Sequence, residues 1–345
     1  MVIAGLVVVL LLVLTLPFVI KKIEENLEPF LFIMGISACL ISGIMSVKLV
    51  LKALEEPIMI TLAVFIAGAV FHLLHEKFQL LMNHILKHVP LPIVVFLVIV
   101  ILGLISSLIT AIIASIILVE VIFLLPLKRK QKIVVCVIAC FSIGLGAALT
   151  PIGEPLATIA ISKLGEEFLY LYHLLSIYII PSIVVYGIIG SLYIARAMKT
   201  PTTVETADDD TEDELKEQDS WSSIIVRALK VYLFVMALVF LGEGFQPLID
   251  KYVLGLSPNL LYWVNMISAV LDNATLTAAE ISRQMNDIQV RAIIMGLLIN
   301  GGMLIPGNIP NIISASKLKI SSKEWAMLGV PLGLVTMALL YLLIF

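Results

Sequence analysis

Long apolar runs separated by short charged clusters set the rhythm of this chain. Runs near the ~20 residues needed to cross a bilayer predict spans at 1–20, 30–53, 57–75, 133–163, 168–196, 222–241, 290–318 and 324–345. Two further apolar segments, 91–125 and 258–282, are interrupted by the polar points "GLISSLITA" and "MISAVLDNATLTA". Arms of about 15 residues reach only some 22 Å at 1.5 Å per residue, so each segment reads as a re-entrant helical hairpin with its tip at mid-membrane. The predicted fold class is all-α: a polytopic helical membrane protein with two such hairpins and two broken transmembrane helices.

The breaks are predicted at "LTPIGEPLATIA" (149–160) and "LIPGNIPN" (304–311). A proline inside a helix clashes with the preceding turn and leaves a carbonyl unpaired. In hydrocarbon that carbonyl has no water to turn to, so non-helical backbone persists at membrane depth only against protein or a wet cavity. Pro151 and Pro155 break the first helix, with Gly153 relaxing the backbone; Pro306, Gly307 and Pro310 break the second.

The same elements recur in order. "EKFQLLM" (76–82) pairs with "EGFQPLI" (243–249), "LISSLITA" (104–111) with "MISAVLDN" (266–273), and "GAALTPIGEPLATIA" (146–160) with "GGMLIPGNIPNIISA" (301–315). If hairpins do not cross, the chain crosses three times between the starts of 57–75 and 222–241, which inverts the second copy. The expected organisation is N-terminal helices over 1–56, a first transport repeat over 57–198, an acidic cytoplasmic linker over 199–221 and a second, inverted repeat over 222–345.

Composition agrees with a lipid-solvated bundle: 61% of residues are hydrophobic and 14% charged. The net charge of −3 hides an asymmetry, because nine of the 25 acids lie within 201–220, where Lys216 is the sole base. That run reads as a connector too polar to fold alone. The remaining 21 bases and 16 acids suit a lipid bilayer as partner and give no reason to expect nucleic acid. Cys39, Cys136 and Cys140 all sit in apolar runs and read as packing. With the "KRKQK" turn (128–132) cytoplasmic, sixteen Lys/Arg fall inside and six outside, namely Lys48, Lys52, Lys163, Lys251, Arg283 and Arg291. That is the positive-inside orientation, with Trp221 and Trp325 at the starts of spans where an aromatic belt would stand.

Carboxylates at membrane depth cost about 2.5–3.5 kcal/mol even on insertion scales. Glu154 and Asp272 both fall at predicted breaks. Either could cap a half-helix N-terminus. If instead they face one cavity, their oxygens suit a hard cation such as sodium, and a proton and a cation would exclude each other there. Candidate ion-binding residues are Glu154, Thr150, Gly153 and Thr158 at the first break and Asn308 and Asn311 at the second. Thr110 joins them at the first tip, with Ser268, Asp272 and Asn273 at the second. No cofactor is implied. His72, His75, Glu76, His84 and His88 lack the order of a zinc peptidase and read as one side of an interfacial helix. Glu120 and Glu280 lie ten and eight residues beyond the tips and are expected at an interface, with proton relay as a second role.

"TPIGE" followed by Thr158, and "SAVLDNATLTA", resemble signature stretches of NhaD-type sodium/proton antiporters, in an ion-transporter superfamily that includes arsenite-efflux and divalent-anion/sodium symporter relatives. "GGMLIPGNIPNII" is similar to the second broken helix of the arsenite and dicarboxylate branches, and the overall resemblance extends to a prokaryotic family described as cation transporters. The resemblance implies ion roles for Glu154, Asp272 and Asn273, and a homodimer. The first tip departs from the antiporter pattern, with Thr110 and Ala111 in place of an Asp-Asn pair. The expected function is a cation (sodium)/proton antiporter of the cell (inner) membrane. The alternatives are a sodium-coupled symporter of a small organic anion and a non-transport sensor or scaffold. A membrane hydrolase lacks its motifs, neither G-x-S-x-G nor a zinc signature being present.

This topology predicts that cysteines placed at Lys163 and Lys251 react with an impermeant maleimide on intact cells, whereas cysteines in 201–220 react only after the membrane is opened. External labelling in 201–220 would overturn the orientation.

Overall fold

The structure is a computed structural model that describes residues 2–24, 26–199, 221–252, 256–265, 273–281 and 284–345. It contains α1 (Val2–Val19), α2 (Lys21–Glu24), α3 (Leu27–Ser42), α4 (Val47–His88), α5 (Leu91–Ile109), α6 (Ala111–Leu124), α7 (Arg129–Ala147), α8 (Pro155–Leu164) and α9 (Tyr170–Lys199). The second half adds α10 (Trp221–Tyr252), α11 (Pro258–Val264), α12 (Asn273–Glu280), α13 (Asp287–Gly301), α14 (Ile309–Lys317) and α15 (Ser322–Ile344). No strand occurs among the described residues. Five helical stretches there are long and apolar enough to cross a membrane: Leu91–Ile109, Arg129–Ala147, Tyr170–Lys199, Ile224–Leu248 and Ser322–Ile344. The chain is an all-α, polytopic membrane protein.

Two expectations at the N-terminal side change. The span predicted over 30–53 ends at Gly43, whose φ of 74° supplies the left-handed cap of α3. Helix α4 then runs unbroken for 42 residues, through Pro57, from the expected N-terminal unit into the expected first repeat. At 1.5 Å per residue it is about 63 Å long. The histidine run therefore continues α4. His84 and His88 stack at 4.8 Å between ring centroids, while the side chains of His72, His75 and Glu76 lie outside those described.

Both predicted breaks are present and share one plan. Helix α7 ends at Ala147, and α8 restarts with Glu154 in the N-cap position at φ −157° and ψ 157°. Helix α13 ends at Gly301, and α14 restarts with Asn308 at φ −154° and ψ 148°. Pro155 and Pro310 fall in the first turns, where a missing N–H costs nothing.

The first hairpin differs from two equal arms. Helix α5 has 19 residues and α6 has 14, with the turn at Thr110. Ser106 and Ser107 belong to α5, where they tie it to the first break. Ser106 Oγ donates to the Ile143 carbonyl at 3.1 Å, and Thr150 Oγ1 donates to the Ser107 carbonyl at 2.5 Å. The Gly103 carbonyl lies where a Cβ on Gly146 would stand, and Ser142 Oγ lies where one on Gly103 would stand, a small-residue approach of the kind by which helices associate in lipid. Ser268 and Asp272, at the tip expected for the second hairpin, lie outside the described residues, as does the 201–220 segment.

Packing crosses between the halves: α6 lies on α14, and α12 lies on α8. Buried Lys317 of α14 pairs with buried Glu120 of α6. Nearby, Arg129 binds Glu324 with Nη1 at 2.5 Å and Nη2 at 3.3 Å, fixing the start of α7 to that of α15. Glu120 and Glu280 are thus both buried in protein rather than set at an interface. Trp325 also leaves the expected aromatic belt: it is fully buried, and its Nε1 donates to the Gly302 carbonyl at 3.1 Å.

Removing one member of a buried ion pair strands the other charge and costs about 3–5 kcal/mol, whereas replacing both is often neutral. Lys317→Met should therefore lower the thermal unfolding midpoint in detergent sharply, and adding Glu120→Gln should restore most of it. A double variant no more stable than Lys317→Met would show that the pair is not the source of the loss.

Candidate functional site

Unpaired backbone at membrane depth has to be satisfied by protein, and the first tip and first break satisfy each other. The Ala111 N–H donates to the Gly153 carbonyl at 2.8 Å. Thr110 is held at φ 75°, a region that β-branched residues avoid, and its Oγ1 accepts from the Ile113 N–H at 3.3 Å. The strained residue stands at the edge of a cavity.

That cavity has a volume of about 400 Å³ and lies where the two breaks meet. The N-termini of α6, α8 and α14 converge on it through Thr110, Glu154 and Asn308, and the first described turn of α12 closes another side through Asn273. Leu238 of α10 supplies an apolar wall. Each helix N-terminus acts as roughly half a positive charge. Among the described lining residues there is no Lys or Arg, and the backbone dipoles add positive potential near the carboxylate of Glu154.

Glu154 is 7% exposed, and although it occupies the N-cap position it makes no side-chain cap hydrogen bond. Asn308 likewise does not cap its own helix. The capping alternative for Glu154 is therefore not the geometry adopted. Asn273 is 5% exposed, and both its amide Oδ1 and Nδ2 have no hydrogen-bond partner among the described residues. Carboxylate, amide and hydroxyl oxygens of this kind are the donors a hard cation takes.

Of the residues singled out in the sequence, Thr110, Pro151, Gly153, Glu154, Pro155, Thr158, Asn273 and Asn308 line the cavity. Thr158 also donates to the Pro151 carbonyl at 2.6 Å, replacing one partner lost at the break. Thr150, Asn311, Pro306 and Pro310 are not in the lining. Thr150 is spent on Ser107. Asn311 Nδ2 donates to the carbonyls of both Gly301 and Leu304 at 2.8 Å, so it closes the end of α13 and does not face the cavity. Ser268 and Asp272 lie outside the described residues, so Glu154 is the acid that the described cavity contains.

Sequence reasoning missed two features. Asn300 is fully buried with neither amide atom partnered among the described residues; its signal was a lone amide in the apolar run "LLINGG". Asn265 Nδ2 at the end of α11 donates to Glu280 Oε2 of α12 at 3.0 Å, a partnership that nothing in local spacing reveals. The cysteines pack: Cys140 Sγ lies 3.4 Å from Ser314 Oγ. Among the described residues no three His, Cys, Asp or Glu side chains group to hold a metal ion.

Over residues 3–345 the chain matches the model of a family described as a protein of unknown function, DUF1646, and it belongs to that family. No curated protein matches it.

Asn311 and Asn308 should separate by role. Asn311→Leu leaves two buried carbonyls unpaired and should cost about 2–4 kcal/mol, seen as a lower unfolding midpoint. Asn308→Ala should stay within about 1 kcal/mol of the parent, since no cap bond is lost. Equal stability of the two variants would contradict the assignment.

Proposed function

We propose that this protein is a secondary active transporter of the cell membrane that exchanges a small inorganic cation, sodium foremost, for protons. The observation that carries the reading is Glu154: a buried acid, in an N-cap position it does not use for capping, beside a cavity with no basic side chain among its described lining residues. Three converging helix N-termini favour a charged carboxylate at membrane depth. Cation and proton then compete for one acid, and that competition gives antiport provided the empty carrier does not reorient. Interrupted helices meeting at a central site are the arrangement expected of secondary carriers. The resemblance to NhaD-type antiporters points the same way and implies an ion role for Asp272 as well.

The same N-termini favour one other reading. A sodium-coupled symporter of a small organic anion could hold its substrate's carboxylates on helix dipoles and hydroxyls. Transport in proteoliposomes with an internal pH-sensitive dye, adding cations with and without organic anions, separates the two.

Glu154→Gln preserves shape and hydrogen-bonding capacity but removes charge and titration. It should abolish cation-driven proton movement while leaving the protein folded. In the parent, apparent cation affinity should weaken on acidification by up to ~10-fold per pH unit, the limit for one proton per cation. Normal exchange by Glu154→Gln, with unchanged pH dependence, would reduce Glu154 to a structural role and end the mechanism.

A further inference from the structure

Helix α12 carries a polar stripe that packing alone does not require. Asn273, Thr277 and Glu280 follow at i, i+4 and i+7, which sets them on one face. All three are buried, at 5%, 0% and 2% exposure. The stripe starts at the cavity with Asn273 and ends at Glu280, about 10 Å away along the helix. Thr277 Oγ1 donates to the Asn273 carbonyl at 2.8 Å, which leaves its oxygen lone pairs free to accept. Beside the stripe stands Asn300 of α13, whose neighbour Gly301 has no room for a Cβ because Asn273 Nδ2 lies against it. Asn273 and Asn300 together present four amide atoms without a partner among the described residues. Buried polar groups in that state are ordinarily met by water.

Glu280 itself is held on one side only. Its Oε2 accepts from Asn265 Nδ2, and its Oε1 has no partner among the described residues. The charged side chains described on the helices packed against α12 are engaged elsewhere. On α13, Arg291 lies 5.3 Å from the Tyr178 ring centroid and Asp287 accepts from Tyr170. On α10, Glu243 accepts from Lys52, Lys230 faces Glu28 and Lys251 lies over Tyr252. On α8, Lys163 is exposed, and Glu154 sits at the cavity. The first half contrasts: there the buried acid, Glu120, is closed by an ammonium.

We propose that Glu280 is a second proton-carrying carboxyl of the exchange, loaded and unloaded from the cavity along the stripe of Asn273 and Thr277. A hydronium ion at the cavity end gives one proton to Oε1, leaving water and a neutral carboxylic acid; the reverse step restores the carboxylate. The Asn265 bond to Oε2 survives in both states, so protonation does not unfasten the hairpin. Glu280 is thereby a proton site apart from the cation site at Glu154. The inference rests on the cation/proton reading above.

The test uses full-length protein in proteoliposomes and two measurements: sodium-driven proton movement, and radiolabelled sodium exchanged for unlabelled sodium at equal pH, which needs no net proton. Glu280→Gln keeps an acceptor for Asn265 and should lower the protons moved per sodium, leaving those carried at Glu154, while retaining sodium–sodium exchange. Glu154→Gln should lose both. Glu280→Asp should recover proton movement with a displaced pH profile, and it carries the test alone if Glu280→Gln fails to fold. A parental rate and pH profile in the Glu280 variants would overturn the proposal and leave the antiport reading intact. Loss of sodium–sodium exchange in folded Glu280→Gln would also overturn it, placing Glu280 in the cation site or the scaffold. No sodium-driven proton movement in the parent would defeat the antiport reading itself.

Discussion

A helix interrupted in hydrocarbon frees carbonyls that only protein or enclosed water can satisfy, and both halves of this protein are arranged around meeting that demand. At the first break the Gly153 carbonyl takes the Ala111 N–H of the hairpin, and the Pro151 carbonyl takes the Thr158 hydroxyl. At the second, Asn311 serves Gly301 and Leu304, and the Trp325 indole serves Gly302. Because those donors come from neighbouring elements, each break fixes the position of the elements around it. The cavity lies where the helices restart, with the N-cap residues Thr110, Glu154 and Asn308 in its lining.

The two breaks share a backbone yet differ in chemistry. Glu154 and Asn308 occupy the same N-cap geometry, one ionisable and one neutral, so a single titrating group stands among matched dipoles. The outer ends differ as well. In one half a buried acid meets a lysine; in the other it meets an amide. Two breaks with the same N-cap geometry thus hold different charges.

The breaks were legible in the sequence because proline and glycine act locally, and the N-cap positions followed from them. Glu154 and Asn308 were placed at the breaks by spacing, Thr110 and Asn273 at the polar interruptions of the apolar segments, and all four line one cavity. Roles set by distant partners were not legible. Asn311 and Asn308 look alike in "GNIPN", but only the first bonds to the end of α13. Trp325 near a span terminus suggests an interface until Gly302 is seen to accept from it. The turn comes at Thr110, with Ser106 and Ser107 just before it in the last turn of α5. Pro57 looked like a boundary and is a tolerated interior residue of α4, as happens where membrane helices find other partners for the freed backbone.

The pairing of Glu120 with Lys317 has a consequence for how the chain is made. The partners are 197 residues apart in sequence, so at ~5–20 residues per second the lysine leaves the ribosome on the order of ten to forty seconds after the glutamate. During that interval α6 has no ammonium to meet its acid. The first half must either wait at the translocon with Glu120 still in contact with water or enter the bilayer with the acid protonated. Final closure of the two halves then takes place after synthesis of α14, as a late step of membrane insertion.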